Sequence, residues 1–178
     1  ISQHWFYGDA VFIVDTWLWL MLGIGAWIAR RTRRPRAAVV ALLCASLYIA
    51  SMLISARVAR GIVREAWIAR TGGPPRALMV GPVPANPFRR SIIVDAGDRY
   101  YQGTFTWFPT RVSFDDRGTL KNDTLPEVDI ARRDERIQGI LVWSRFPAWE
   151  VREVEDGVEV NLRDMRFRGI GRGGFTAT

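Results

Sequence analysis

The stretch WFYGDAVFIVDTWLWLMLGIGAWIA, residues 5–29, decides how the chain is read, because it is apolar enough to enter a bilayer and still carries Asp9 and Asp15. A charge at membrane depth costs about 2.5 to 3.5 kcal/mol on insertion scales, so Asp15 needs either a compensating partner or a task. It is the single charged residue in 11–29, and 37–56 has none. Each run matches the roughly 20 residues that cross a hydrocarbon core. Between them RRTRRPR, residues 30–36, places five arginines in seven positions. Two helices joined so tightly must be antiparallel neighbours. Gly23, Gly25 and Ala26 on one, with Ala41, Ala45, Ser46 and Ala50 on the other, allow close approach. The pattern predicts a two-helix transmembrane hairpin with spans at about 11–29 and 37–56.

Charge is distributed accordingly. The net charge of +7 lies wholly in residues 1–76, which hold ten Arg against Asp9, Asp15 and Glu65; residues 77–178 balance fifteen basic against fifteen acidic side chains. Basic residues at the ends of apolar runs are what membrane topology requires, which sets aside a nucleic-acid-binding role and makes the lipid bilayer the expected partner. The arginine loop is expected in the cytoplasm, which puts Ile1 and the β-rich domain on the periplasmic side. The single cysteine, Cys44, sits inside the second apolar run and reads as a small apolar residue. The chain starts at Ile1 without a cleavable leader pattern, so it is expected to be a piece of a longer protein.

Residues 57–70 stay helical in pattern but become amphipathic. Val58, Ile62, Ala66 and Ala69 face one way, Arg57, Arg60 and Arg64 another, and Trp67 suits an interface, which predicts a membrane-surface helix. Thr71-Gly72-Gly73-Pro74-Pro75 ends it.

Residues 77–170 read as a small β-rich soluble domain containing one helix, with 171–178 as a flexible tail, so the whole is an α+β membrane protein. Residues 77–80 form at most a short strand, 91–95 is a β-branched run, and Tyr101, Gly103, Phe105 and Trp107 alternate with polar residues. A strand at 110–114 follows. Asp129 is expected to cap a helix reaching about Trp143, with Ile130, Ile137, Ile140 and Leu141 inward. A hairpin over 149–163 turns at Asp156-Gly157, with Val158, Val160 and Leu162 on one face.

Asp9 and Asp15 are six residues apart, about 120° apart in direction on a regular helix, so they converge only if the chain opens irregularly near Gly8. With His4, the sole histidine, they are the candidate metal ligands and catalytic residues; zinc or manganese would suit such a donor set. Ser144-Arg145-Phe146-Pro147 and Leu162-Arg163-Asp164-Met165-Arg166-Phe167 suggest either an anion pocket or structural Arg–Asp pairs. No phosphate loop, nucleophile elbow or Cys/His cluster occurs in the sequence.

The run from Trp5 to Trp19, the later Pro82-Val83-Pro84-Ala85-Asn86-Pro87, and the two arginine motifs above, in that order, resemble bacterial inner-membrane metal-dependent hydrolases of the YdjM/YbcI type. The resemblance implies a multi-span protein whose metal site uses Asp9 and Asp15 together with histidines upstream of Ile1. Thr16 stands where that family usually has proline. The substrate, a small molecule or a lipid, is left open. The competing expectation is a non-catalytic anchor that presents the β-rich domain to a protein or lipid partner.

Overall fold

The computed structural model describes residues 15–155, 157–167 and 175–177. His4 and Asp9 lie outside the described residues.

Helix α1 (Thr16–Thr32) opens at Asp15, whose backbone is extended and whose carboxylate accepts the amides of Trp17 and Leu18. This corrects the expectation that Asp15 lies within a helical span: a short acidic side chain competes with helical backbone and is favoured as a cap. At 17 residues, α1 is about 25 Å long, short of a hydrocarbon core of about 30 Å. It closes at Arg33, in the left-handed region, with Arg30 and Arg31 set favourably against the helix dipole. Among the described residues one helix is long and apolar enough to cross a membrane, namely α2 (Arg36–Thr71).

Helix α2 has 36 residues, about 54 Å, and stops at Gly72, which takes a left-handed turn and returns its N–H to Ile68 O at 2.8 Å. The expected separate surface helix at 57–70 is instead an unbroken continuation of α2. Its inner face also differs: Ala59, Val63 and Trp67 are buried, whereas Val58 is exposed, and Trp67 is enclosed instead of lying at an interface. Ala41, Ala45, Tyr48, Met52, Ser55 and Ala59 form one buried to half-buried stripe stepping by four and three, the spacing that keeps a seam on one side of a helix.

Strands β1 (Ala77–Val83), β2 (Asn86–Asp95), β3 (Arg99–Trp107) and β4 (Thr110–Phe114) lie side by side in that order, and β5 (Thr119–Leu120) pairs with β3 through Arg99 and Leu120. Short turns between neighbours make them antiparallel hairpins. β1 is longer than expected; as an edge strand it tolerates Pro82. The chain divides into two compact units. The first takes the helices with 78–92 and 103–113, and the second takes 75–77, 93–102 and 114–178.

The second unit contains helices α3 (Pro126–Ala131) and α4 (Glu135–Leu141) and the sheet β6 (Pro147–Val154), β7 (Gly157–Asp164), β8 (Phe175–Ala177), in that order. The expected single helix is two, because Asp134 turns extended and caps α4 by accepting Arg136 N–H at 2.7 Å. Ile130, expected inward, is exposed; Val128 and Ala131 join Ile137, Trp149, Val160 and Leu162 in the core. Gly157 pairs with Val154, so the hairpin turns one residue earlier than expected and leaves Val158 exposed. Part of the expected flexible tail is strand: Leu162 pairs with Phe175 and Val160 with Ala177.

Where α1 meets α2, a Cβ placed on Gly25 would fall 2.2 Å from the Ala41 Cβ, a distance real side chains do not adopt. Gly25→Ala is expected to destabilise the helix pair by about 1 to 3 kcal/mol through overpacking. The compensating double variant Gly25→Ala/Ala41→Gly should recover most of it, as read by denaturation in detergent micelles.

Candidate functional site

In the first unit a line of polar groups runs through apolar surroundings. Asp15 is 8% exposed, and its Oδ1 accepts Trp17 N–H at 3.0 Å and Leu18 N–H at 3.1 Å. Its Oδ2 accepts the Tyr48 hydroxyl at 3.0 Å. The first turn of α1 adds a favourable dipole end. Three donors and that dipole compensate the carboxylate in its apolar setting.

A carboxylate offers about four acceptor positions, of which three are taken here. Among the described residues no group of three His, Cys, Asp or Glu could hold a metal ion. The convergence of Asp9 and His4 on Asp15 lies outside the described residues. Asp15 by itself does not amount to a metal centre.

Further along α2, Arg90 on β2 is 0% exposed and donates Nη2 to Met52 O at 3.1 Å and to Ser55 Oγ at 3.2 Å. The same Ser55 Oγ accepts Trp107 Nε1–H at 2.9 Å. Burial pushes the Arg90 guanidinium downward from its ordinary value, with Tyr48 opposing that shift. An arginine starts so high that it stays cationic. Sequence reasoning missed Tyr48, Ser55, Arg90 and Trp107. The signals were present: Tyr48 and Ser55 are seven apart on one helical face, and Arg90 shares the inward register of Ile92 and Val94.

In the second unit the two arginine motifs meet. Asp164 Oδ2 accepts Ser144 Oγ–H at 3.0 Å, Arg145 N–H at 3.1 Å and Arg166 Nη2–H at 2.7 Å, while Oδ1 accepts Arg166 N–H at 2.9 Å. Arg166 Nη2 also reaches Trp143 O at 2.9 Å. This saturated pair ties the end of β7 to the segment before β6, which is the structural reading of those motifs. Burial alone would raise the Asp164 carboxyl; the hydrogen bonds and charge of Arg166, with Ser144, outweigh it and hold the carboxyl below its usual range. Lys121, the one lysine of the chain, is buried against Asp95 at 2.7 Å and lies 4.6 Å from the centre of the Tyr100 ring. Burial is the main cause that pushes the Tyr100 hydroxyl upward, followed by the charges of Asp95, Asp123 and Asp164.

The described residues also form concavities. An apolar groove of about 460 Å³ runs between α1 and α2, lined by Met21, Ile24, Gly25, Ile28, Val40, Ala41 and Cys44. A polar cleft of about 360 Å³ in the second unit is lined by Arg76, Asp98, Asn122, Asp123 and Thr124.

No protein-family model, curated protein or solved structure matches the chain. The resemblance to membrane hydrolases therefore rests on the quoted residues alone.

Removing the Asp15 cap with Asp15→Ala should cost about 1 to 2 kcal/mol, and Tyr48→Phe about 1 kcal/mol. A double-mutant cycle by denaturant titration should show the two to be non-additive, since they share a hydrogen bond. Asp164→Asn should cost about 1.5 to 3 kcal/mol at neutral pH. Because the native carboxyl is depressed, its contribution is full above the unfolded value of about 3.9 and fades as pH falls through the lower native value. Amide exchange in β6 and β7 should show the wild-type advantage shrinking below about pH 4.

Proposed function

We propose that the chain is a membrane-anchored protein in which α1 and α2 form a two-helix transmembrane hairpin that holds the β-rich domain at the bilayer for a protein or lipid partner. The observation that carries this reading is the ring of large apolar side chains open to the surroundings on both helices, among them Trp19, Ile24, Leu42, Leu43, Leu47 and Ile54. Such a continuous patch marks contact with lipid or protein. Arg31 lies over the Trp27 ring, the kind of aromatic and cationic pairing found where a span meets headgroups. Applied to the bacterial inner membrane, the basic loop at 30–36 keeps that end cytoplasmic and puts the soluble domain in the periplasm.

A second reading, favoured by a buried carboxylate that three hydrogen bonds among the described residues hold in place, is the metal-dependent hydrolase implied by the resemblance. Asp9, Asp15 and His4 would contribute to a divalent metal site completed by residues upstream of Ile1.

Separate experiments test the two readings. After expression in bacteria, the anchored protein should remain in the membrane pellet through alkaline carbonate extraction, and Gly118→Cys in a Cys44→Ala background should react with an impermeant periplasmic thiol reagent. Release into the supernatant would overturn the anchor. Metal content of the full protein that is unchanged in both Asp9→Asn and Asp15→Asn would overturn the hydrolase.

A further inference from the structure

Two turns of the sheet are held against the helices within the first unit. Trp17 donates its indole N–H to Ala85 O in the β1–β2 turn at 3.2 Å, and Trp107, just before the β3–β4 turn, donates to Ser55 on α2. These bonds fix how far the sheet reaches along α2. Ser55 stands near the end of the uncharged run 37–56, whereas the start of α1, beside Ala85, is level with Tyr48 through the Asp15 hydrogen bond. Seven residues at 1.5 Å each is about 10 Å. The β1–β2 turn thus descends about 10 Å along the apolar part of α2.

The chemistry of the turns suits that depth. Residues 77–88 and 103–110 carry no charge. Phe88 and Phe108 are 56% and 80% exposed and meet edge to face with centroids 5.6 Å apart. In hydrocarbon every backbone polar group must find a partner inside the protein. Here Pro84, Pro87 and Pro109 have no N–H to satisfy, and side chains take up other groups of the turns. Asn86 Oδ1 accepts Phe88 N–H at 3.0 Å, Thr106 Oγ1–H bonds Pro109 O at 2.9 Å, and Thr110 Oγ1–H bonds Trp107 O at 3.0 Å. Arg89 and Arg111, both exposed, directly follow the two uncharged stretches in sequence.

We propose that the β1–β2 and β3–β4 turns insert into the acyl region of the lipid bilayer, with Phe88 and Phe108 as an aromatic wedge beside the helices and Arg89 and Arg111 at the level of the phosphates. The proposal rests on the anchored reading above. It assigns these turns a lipid partner that apolar helices alone do not require.

The test uses the full chain in a Cys44→Ala background, reconstituted into phosphatidylcholine–phosphatidylglycerol vesicles, with a polarity-sensitive fluorophore on single cysteines at Phe108, Leu47 or Ser113. Leu47 is 71% exposed on α2, and Ser113 lies on β4 four residues beyond the turn. Lipids carrying a spin label on the acyl chain should remove most of the fluorescence at Phe108→Cys and Leu47→Cys and little at Ser113→Cys. Quenching at Leu47 with none at Phe108 would overturn the wedge and leave the anchor standing. Loss of quenching at Leu47 would overturn the anchor and the wedge with it. A Phe108 probe shielded from aqueous iodide yet untouched by the spin-labelled lipid would also overturn the wedge, in favour of a protein partner.

Discussion

One stripe of α2, from Ala41 through Ala45, Tyr48, Met52 and Ser55 to Ala59, is the surface on which the first unit is assembled. Its character changes along its length, and each part dictates what can lie against it. The alanines admit the backbone of α1 at Gly25, where no larger residue fits. Tyr48 receives the carboxylate that starts α1, and the Met52 carbonyl with the Ser55 hydroxyl receives Arg90 and Trp107 from the sheet. A helix with small residues at one end of a seam and hydrogen-bonding groups at the other sorts its neighbours by chemistry. The apolar remainder of its circumference faces outward.

That division explains the behaviour of Asp15. Sequence reasoning treated it as a charge stranded at membrane depth. The same residue supplies what a helix start in an apolar setting lacks, an acceptor for orphan amides, and in return the amides and a tyrosine supply what a desolvated carboxylate lacks. This structural role is sufficient to account for Asp15. A metal-binding role would be additional to it and would depend on His4 and Asp9.

Much of the chain was legible because its signals are local. The breaker at 71–75, the strand at 110–114 and the strand through Phe105 depend on residues a few places apart, and each appears where the spacing put it; the expected alternation of burial does not, since Tyr100 and Phe105, on opposite faces, are the buried residues of β3. The misreadings came from competition that a periodicity count does not weigh. Asp134 could have lain within a helix at 129–143; its capping bond to Arg136 divides it instead. In residues 57–70 several faces of the helix were apolar enough to be the inner one, and tertiary packing selected Ala59, Val63 and Trp67. The polar contacts of Arg90 join residues 35 and 38 positions apart, which local spacing does not reveal, although its place in the strand register marked it as unusual.

The pairing of Lys121 with Asp95 bears on how the second unit can be watched at work. It is the one lysine in a chain otherwise supplied with arginine, and its ammonium is enclosed by a carboxylate and an aromatic face. An acylating reagent can reach that nitrogen only when the Asp95 bridge parts and the surrounding strands loosen. The rate of modification at this side chain is therefore an internal clock for local opening, built into the protein without any label being introduced.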